Sequence, residues 1–508
     1  RAAALAAPDV SAARAIATAA GGLDVELDAR QMAAVAPAAG PEKRQRFRSP
    51  GLLGETEAAL VWLPVSRADL RLCWDVTLTA PTGGEMFRVL VDAQTGRAWL
   101  RRCLTTYLTD ASYRVFTSDS PSPFSPGHAT PLTNQPPVAA RSLVTWSALD
   151  TNASPAGWIA DGDNSTLGNN VDSHLDKNAD NAPDIGSRPT GAPFRVFDFP
   201  VDLAQEPVTY TNFAVVQLFY WNNWVHDQLY ALGFTEAAGN FQTDNFGRGG
   251  LGNDAVQADA QDGSGFNNAN FSTPGDGSSP RMQMYIFNGP APDRDGDFDA
   301  EIVIHEYCHG LSNRHVGPGG GLSALQSRGM GEGWSDFYGL ALLSEAPDSA
   351  DGNYAVGGYA TYLLGGLTEN YYYGIRRYPY STNMTGNPLT FKDIDPAQAS
   401  PHAGIPRSPI IGGSADEVHN MGEVWCVTLW DARANLVAKY GWATGNQLIL
   451  RLVTDGMPLA PANPNFLEAR DAIIQADLVD NGGANRDELW AAFAKRGMGY
   501  SASSPASS

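Results

Sequence analysis

Apolar and polar positions change their rhythm several times along this chain. An alanine-rich run with helical spacing, Ser11 to Ala20, is followed by three strand-like runs at Ala59–Val65, Leu70–Leu78 and Met86–Asp92, the last ending in the turn Ala93-Gln94-Thr95-Gly96. A helix followed by a meander predicts a small α+β unit over residues 1–105. From Tyr107 to about Pro200 proline, glycine and aspartate dominate, with short strand signals such as Tyr113–Phe116, so loops and edge strands are expected. Residues Asn212 to Gly233 carry Phe213, Val216, Phe219, Trp221, Val225 and Leu229 among polar residues, which predicts a helix with a broad buried face, and Arg281–Phe287 reads as a strand. His226 on that helix reads as a structural histidine. Beyond the flexible loop Gly317–Gly321 helical patterns prevail, the last being Leu467–Leu478 and Asn485–Arg496, before a polar tail at 501–508. The expected order is an α+β unit (1–105), a strand- and loop-rich stretch (106–315), a helical stretch (316–500) and the tail.

Length and charge narrow the class. With 508 residues the chain exceeds one small core, so two or three folding units are expected. The 55 acidic against 34 basic residues give a net charge of −21, which argues against nucleic acid or an anionic membrane as partner and suits an extracellular protein. No apolar run reaches the roughly 18 residues of a membrane span, and a signal peptide would lie ahead of Arg1. Two acidic clusters place oxygens at alternate positions, as calcium loops do: Asp176, Asn178, Asp180 and Asp184, and Asp293, Asp295, Asp297 and Asp299. The first lacks the glycine that helps such loops turn, and a solvated acidic turn is its other reading.

The chemistry concentrates at Ile302-Val303-Ile304-His305-Glu306-Tyr307-Cys308-His309-Gly310. This is an H-E-x-x-H segment: on a helix, positions four apart lie one turn apart, so both imidazoles aim at one point, the signature of a zinc site. Zinc needs a third protein ligand and an open position for water. Gly329-Met330-Gly331-Glu332-Gly333-Trp334-Ser335-Asp336 offers Glu332 as that ligand, with Asp336 one turn on to accept from the far nitrogen of His305. A third segment, Ser414 to Asn420, supplies His419 as donor to a tetrahedral oxyanion, its tautomer held by Asp416 or Glu417. Glu306 is then the general base that takes a proton from water and passes it to a leaving amine. Zinc lowers the pKa of bound water from about 15.7 to about 7.

These segments carry a resemblance. His305 to Arg314, Gly329 to Asp336 and Glu417 to Trp425 resemble the signature segments of the fungalysin family, and Asn245–Gly252, Gln261–Gly265, Asp295–Asp299 and Ala469–Ile473 extend the likeness over residues 110 to 500. Cys308 and Glu301 depart from it, the family usually having threonine and glycine there. The resemblance implies a secreted precursor of α+β class: a propeptide over 1–105, then a thermolysin-like catalytic domain with a β-rich first lobe and a helical second lobe. It also implies that Asn268 and Ala269 on an edge strand pair with the substrate backbone, and that Arg376 bonds a substrate carbonyl. Because the helix carrying Cys426 packs near the zinc helix in such folds, a Cys308–Cys426 disulfide is expected, and Cys73 and Cys103, both in the first part of the chain, are expected to form another; free buried thiols are the other reading. The tyrosine that thermolysin-like sites place after the second histidine has no counterpart in the glycine-rich loop here.

The expected protein is therefore a monomeric secreted zinc endopeptidase, acting on proteins or peptides, with its own propeptide as partner and calcium as a second ion. Two other readings use the same residues. An aminopeptidase would need an acidic pocket for a free amine, and a latent binding protein would hold zinc without turnover because its first domain fills the cleft.

Overall fold

The structure, a computed structural model, describes all residues except 1–6, 24, 67–68, 82–84, 105–109, 147–149, 318, 398–413 and 505–508. The expected boundary at 105/106, Pro318 of the glycine loop and the end of the polar tail lie outside the described residues. The chain divides into two compact units, Arg1–Tyr107 and Leu108–Ser508.

In the first unit, helix α1 (Ala12–Gly21) starts at Ser11, whose hydroxyl accepts from the Arg14 amide. Six antiparallel strands follow in sequential order: β1 (Ala33–Ala39), β2 (Arg44–Arg48), β3 (Leu53–Pro64), β4 (Leu70–Thr79), β5 (Met86–Asp92) and β6 (Ala98–Cys103). Ala15, Ile16 and Ala19 of α1 pack with Trp74, Val76, Val89 and Val91 in one core. Strands β1 and β2 were invisible in the apolar pattern because the first is small and exposed and the second is charged around the single buried Phe47. The expected Cys73–Cys103 disulfide is absent, and the register explains why. Cys73 on β4 sits opposite Asp92 at one end of β5, whereas Cys103 on β6 sits opposite Phe87 near the other end. Two strand spacings of about 4.8 Å and five residues of about 3.4 Å each separate them, far beyond the roughly 7 Å that a disulfide spans.

The second unit has one continuous core running from Ala111 to Met498. Strands β7 (Ala111–Val115), β8 (Ser142–Trp146) and β10 (Val196–Phe197) form a small sheet with β7 in the middle. Strands β9 (Val171–Leu175), β11 (Val256–Ala260), β12 (Ala269–Ser272) and β13 (Arg281–Met284) form another, in the order β12-β13-β11-β9. In it β12 runs antiparallel to β13 and forms an edge, while β9, β11 and β13 run parallel. The expected strand 281–287 is broken after Met284, and β14 (Ile286–Phe287) pairs instead with β15 (Arg294–Asp295). Helix α2 (Thr211–Ala231) packs on β9 and β11 and is buried on nearly every face, so its period is blurred in the sequence. His226 on it is buried with Nδ1 2.9 Å from Asp227.

Helices α3 (Ala300–His315), α4 (Leu325–Leu343), α5 (Asn370–Tyr373), α6 (Val418–Tyr440), α7 (Trp442–Gly456), α8 (Phe466–Asn481) and α9 (Arg486–Lys495) complete a mixed α/β fold. Helix α4 packs against both α3 and α6. The crossing of α4 with α6 is close because glycines line it: a Cβ on Gly333 would lie 2.5 Å from the Gly422 carbonyl, and one on Gly422 would lie 2.6 Å from Cβ of Glu332. Cys308 on α3 and Cys426 on α6 are separate buried thiols, with α4 packed against each helix, so the second expected disulfide is also absent. No described helix is long and apolar enough to cross a membrane.

Candidate metal centre

Helix α3 begins after Asp299 and runs through the core, so only one strip of it reaches a cleft. That strip holds His305, Glu306, His309 and Asn313, and the cleft of about 290 Å³ continues over Glu332, Arg376 and His419. Helical spacing alone brings the two imidazoles together, with His309 Nε2 3.1 Å from His305 Nε2. The close crossing of α4 and α6 brings in the rest: Glu332 Oε2 is 3.2 Å from His305 Nε2, Glu332 Oε1 is 3.7 Å from His309 Nε2, and Glu332 Oε2 is 3.4 Å from His419 Nε2.

This donor set fits a metal ion. His305 Nδ1 lies 2.7 Å from Asp336 Oδ1, which makes it the protonated nitrogen and leaves a lone pair on Nε2. That lone pair faces the second imidazole, and the buried Glu332 Oε2 beside it accepts no well-directed hydrogen bond among the described residues. A cation resolves this clustering of acceptors, and ligand atoms all within 4.8 Å of one another match the spread around a tetrahedral zinc with bonds of about 2.0–2.2 Å.

Electrostatics separates the groups. Burial pushes the Glu306 carboxyl up to about 7. Burial alone would depress His305, yet the Asp336 and Glu332 carboxylates facing its two nitrogens carry it up to about 10, so a cation at Nε2 takes the place of a proton there, whereas burial takes His309 down to about 4. Glu332 and Asp336 are held well below the usual carboxylate range despite burial, the first by the histidines and the second by Arg376 and His305. Arg376 grips Asp336 side-on, with Nε to Oδ2 at 2.7 Å and Nη2 to Oδ1 at 2.8 Å.

The other expected site residues fall as follows. Asn268 and Ala269 line the cleft where β12 begins, and Arg376 lines it as well. Of the two acids offered for His419, Glu417 is the partner: its Oε1 is 2.8 Å from Nδ1, while Asp416 lines a different pocket with Leu325, Phe391 and Met421. In neither expected calcium loop do three carboxylates converge on one point among the described residues. Asp176 accepts from the Asp180 and Asn181 amides, Asn178 from the Asp180 amide, Asp180 from the Ala182 amide and Asp184 from the Lys177 amide, so these side chains fold their own turn. In the second, the Asp293 amide bonds Glu206, Asp295 and Asp297 hold Gln261, and Asp299 accepts from the Ala360 amide. Asp176 is grouped instead with Asp259 and Asp262, two residues that the loop pattern could not indicate.

Sequence reading missed Asn313, which lies one turn past His309 in the cleft and bonds Thr273 at 3.2 Å. The same i, i+4 spacing that found the histidines would have found it. It also missed Tyr380, whose hydroxyl donates to Asp336 from a loop with no recognisable spacing.

A helix that presents two histidines and a free carboxylate to a cleft, met by a glutamate from a second helix, defines a metallopeptidase-type centre. The sequence model of the fungalysin metallopeptidases matches residues 128–502. The chain is 39% identical over 476 residues to an extracellular metalloproteinase of Aspergillus niger, an alignment covering 89% of this chain and 68% of that protein. It is 40% identical to one from Pyricularia oryzae, covering 90% and 68%, and 39% identical to extracellular metalloproteinase 2 of Arthroderma gypseum, covering 88% and 67%. The chain belongs to the fungalysin metallopeptidase family and is an enzyme that hydrolyses peptide bonds.

Proposed function

We propose that the chain is a secreted zinc endopeptidase in which His305, His309 and Glu332 hold the ion. The observation that carries this is the set of three donor atoms within 4.8 Å, with Glu306 beside them and unbonded to any ligand residue. Zinc supplies a Lewis acid and an acidified water when bound. Glu306 takes the proton at its carboxylate and passes it to the departing amine; its raised pKa suits a group that must both accept and release a proton near neutrality. His419, held at Nδ1 by Glu417, presents Nε2 to the developing oxyanion. Arg376, oriented by Asp336, supplies a donor for a substrate carbonyl.

Substrate would lie along the free edge of β12, adding a strand through main-chain bonds at Asn268 and Ala269. Phe287, Ile302, Val356 and Ile375 are among the residues lining the cleft and favour an apolar side chain there. The likeness to extracellular metalloproteinases and the strongly acidic composition support secretion. The arrangement of two lobes around the cleft, a monomeric state, and an inhibitory propeptide in the first unit are parts of the same reading.

Glu306→Gln is expected to keep zinc by elemental analysis and to lose casein hydrolysis. Retained hydrolysis would overturn the assignment, and comparing N-blocked with free peptides separates an endopeptidase from an aminopeptidase.

A further inference from the structure

Asp336 receives more donors than the orientation of one histidine requires. Its Oδ1 faces His305 Nδ1 and Arg376 Nη2; its Oδ2 takes Arg376 Nε and, in addition, the hydroxyl of Tyr380. Tyr380 has no exposed surface. Its backbone is pinned on both sides, with its amide to the Tyr354 carbonyl at 2.8 Å and its carbonyl to the Tyr354 amide at 3.0 Å, while the next carbonyl, Ser381, accepts from Arg496 at 2.9 Å. The phenol is therefore delivered to the carboxylate by fixed main chain.

We propose that Tyr380 is a positioning residue for the peptidase reaction: its hydroxyl completes the donor set that fixes the Asp336 carboxylate, and thereby the rotation of the His305 imidazole toward the point shared with His309 and Glu332. The terminal torsion of an aspartate is broad, so the plane of a buried carboxylate is set by what bonds each oxygen. Without the hydroxyl, Oδ2 keeps only the Arg376 bond, and an under-satisfied buried anion shifts toward its remaining cation. That shift draws Oδ1 away from His305. Partners outside the ligand set typically govern metal affinity by about 10- to 100-fold.

The inference rests on the zinc reading given above, and its test separates the two. Zinc affinity is measured by competition with a chromophoric chelator for the full chain, for Tyr380→Phe, and for Tyr338→Phe. The last removes an equally buried hydroxyl from α4 that bonds Thr454 rather than Asp336. Tyr380→Phe is expected to weaken zinc binding about 10- to 100-fold while the melting point of the metal-free chain changes no more than in Tyr338→Phe. In Asp336→Asn the same substitution is expected to add nothing. Affinity within twofold of the parent, or an equal loss in Tyr338→Phe, overturns the role of Tyr380 and leaves the zinc site standing; a parent that binds no zinc overturns the site reading itself. A second measurement needs no variant: in the metal-free parent the Tyr380 hydroxyl proton should exchange slowly and show a through-space contact with the Nδ1 proton of His305, and its absence also overturns the proposal.

Discussion

Single side chains in this site owe their state to burial first and to partners second. Asp299, at the entrance of α3, is 1% exposed, and burial pushes its carboxyl up to about 6. A raised carboxyl contributes stability that is fully present below about pH 4, its usual range, and is lost as pH rises past about 6. Asparagine mimics the protonated form and keeps an acceptor for the Ala360 amide. Asp299→Asn is therefore expected to gain on the parent between pH 4.5 and pH 7.5 in denaturant titrations, and a gap that stays flat would show that Asp299 is not the group responsible. At this scale the sequence was informative wherever a helix served as the ruler: the proximity of His305 to His309, and the common face of α4 shared by Glu332 and Asp336, follow from spacing of four. It was uninformative where a loop delivers the group, as with Tyr380. It left the acidic turns open, because alternate aspartates satisfy their own backbone amides as readily as they gather around an ion.

Helices and strands decide what those side chains can reach. Glu332 and His419 meet because α4 and α6 touch backbone to backbone at Gly333 and Gly422. Gly422→Ala puts a methyl 2.6 Å from Cβ of Glu332, where nothing flexible can yield. Overpacking of this kind costs about 1–3 kcal/mol, and here it also displaces a proposed ligand. Both a lower melting point and weaker zinc binding are expected, whereas a loss of stability with unchanged affinity would show that Glu332 is not the group displaced. The glycines were visible in the sequence, but nothing there said that they faced each other. The Cys73–Cys103 pair failed for a related reason: nearness in sequence carries no register, and β5 lies between the two strands that hold them.

For the whole molecule, two separate cores explain why the pattern changes near residue 105. The first unit packs α1 on its own sheet, and the second runs one core from Ala111 to Met498. Cleavage between the units by a second protease is expected to leave the melting transition of 108–508 in place and to raise casein hydrolysis, as the proposed propeptide role requires. Unchanged activity after the cut would reduce the first unit to a constitutive domain. The order of helix and meander in that unit was readable, since β3, β4 and β5 carry apolar runs that supply the core, whereas its outer strands do not.

The unpaired side of β12 has a further implication for what this enzyme can digest. With the proposed docking along β12, a target would lend several residues of bare main chain, drawn out straight, before any bond is broken, so tightly folded proteins should survive until a segment works loose. Within such a segment, proline or an N-methylated residue facing that strand would silence the nearby bond whatever its side chains, because the amide hydrogen needed for docking is gone.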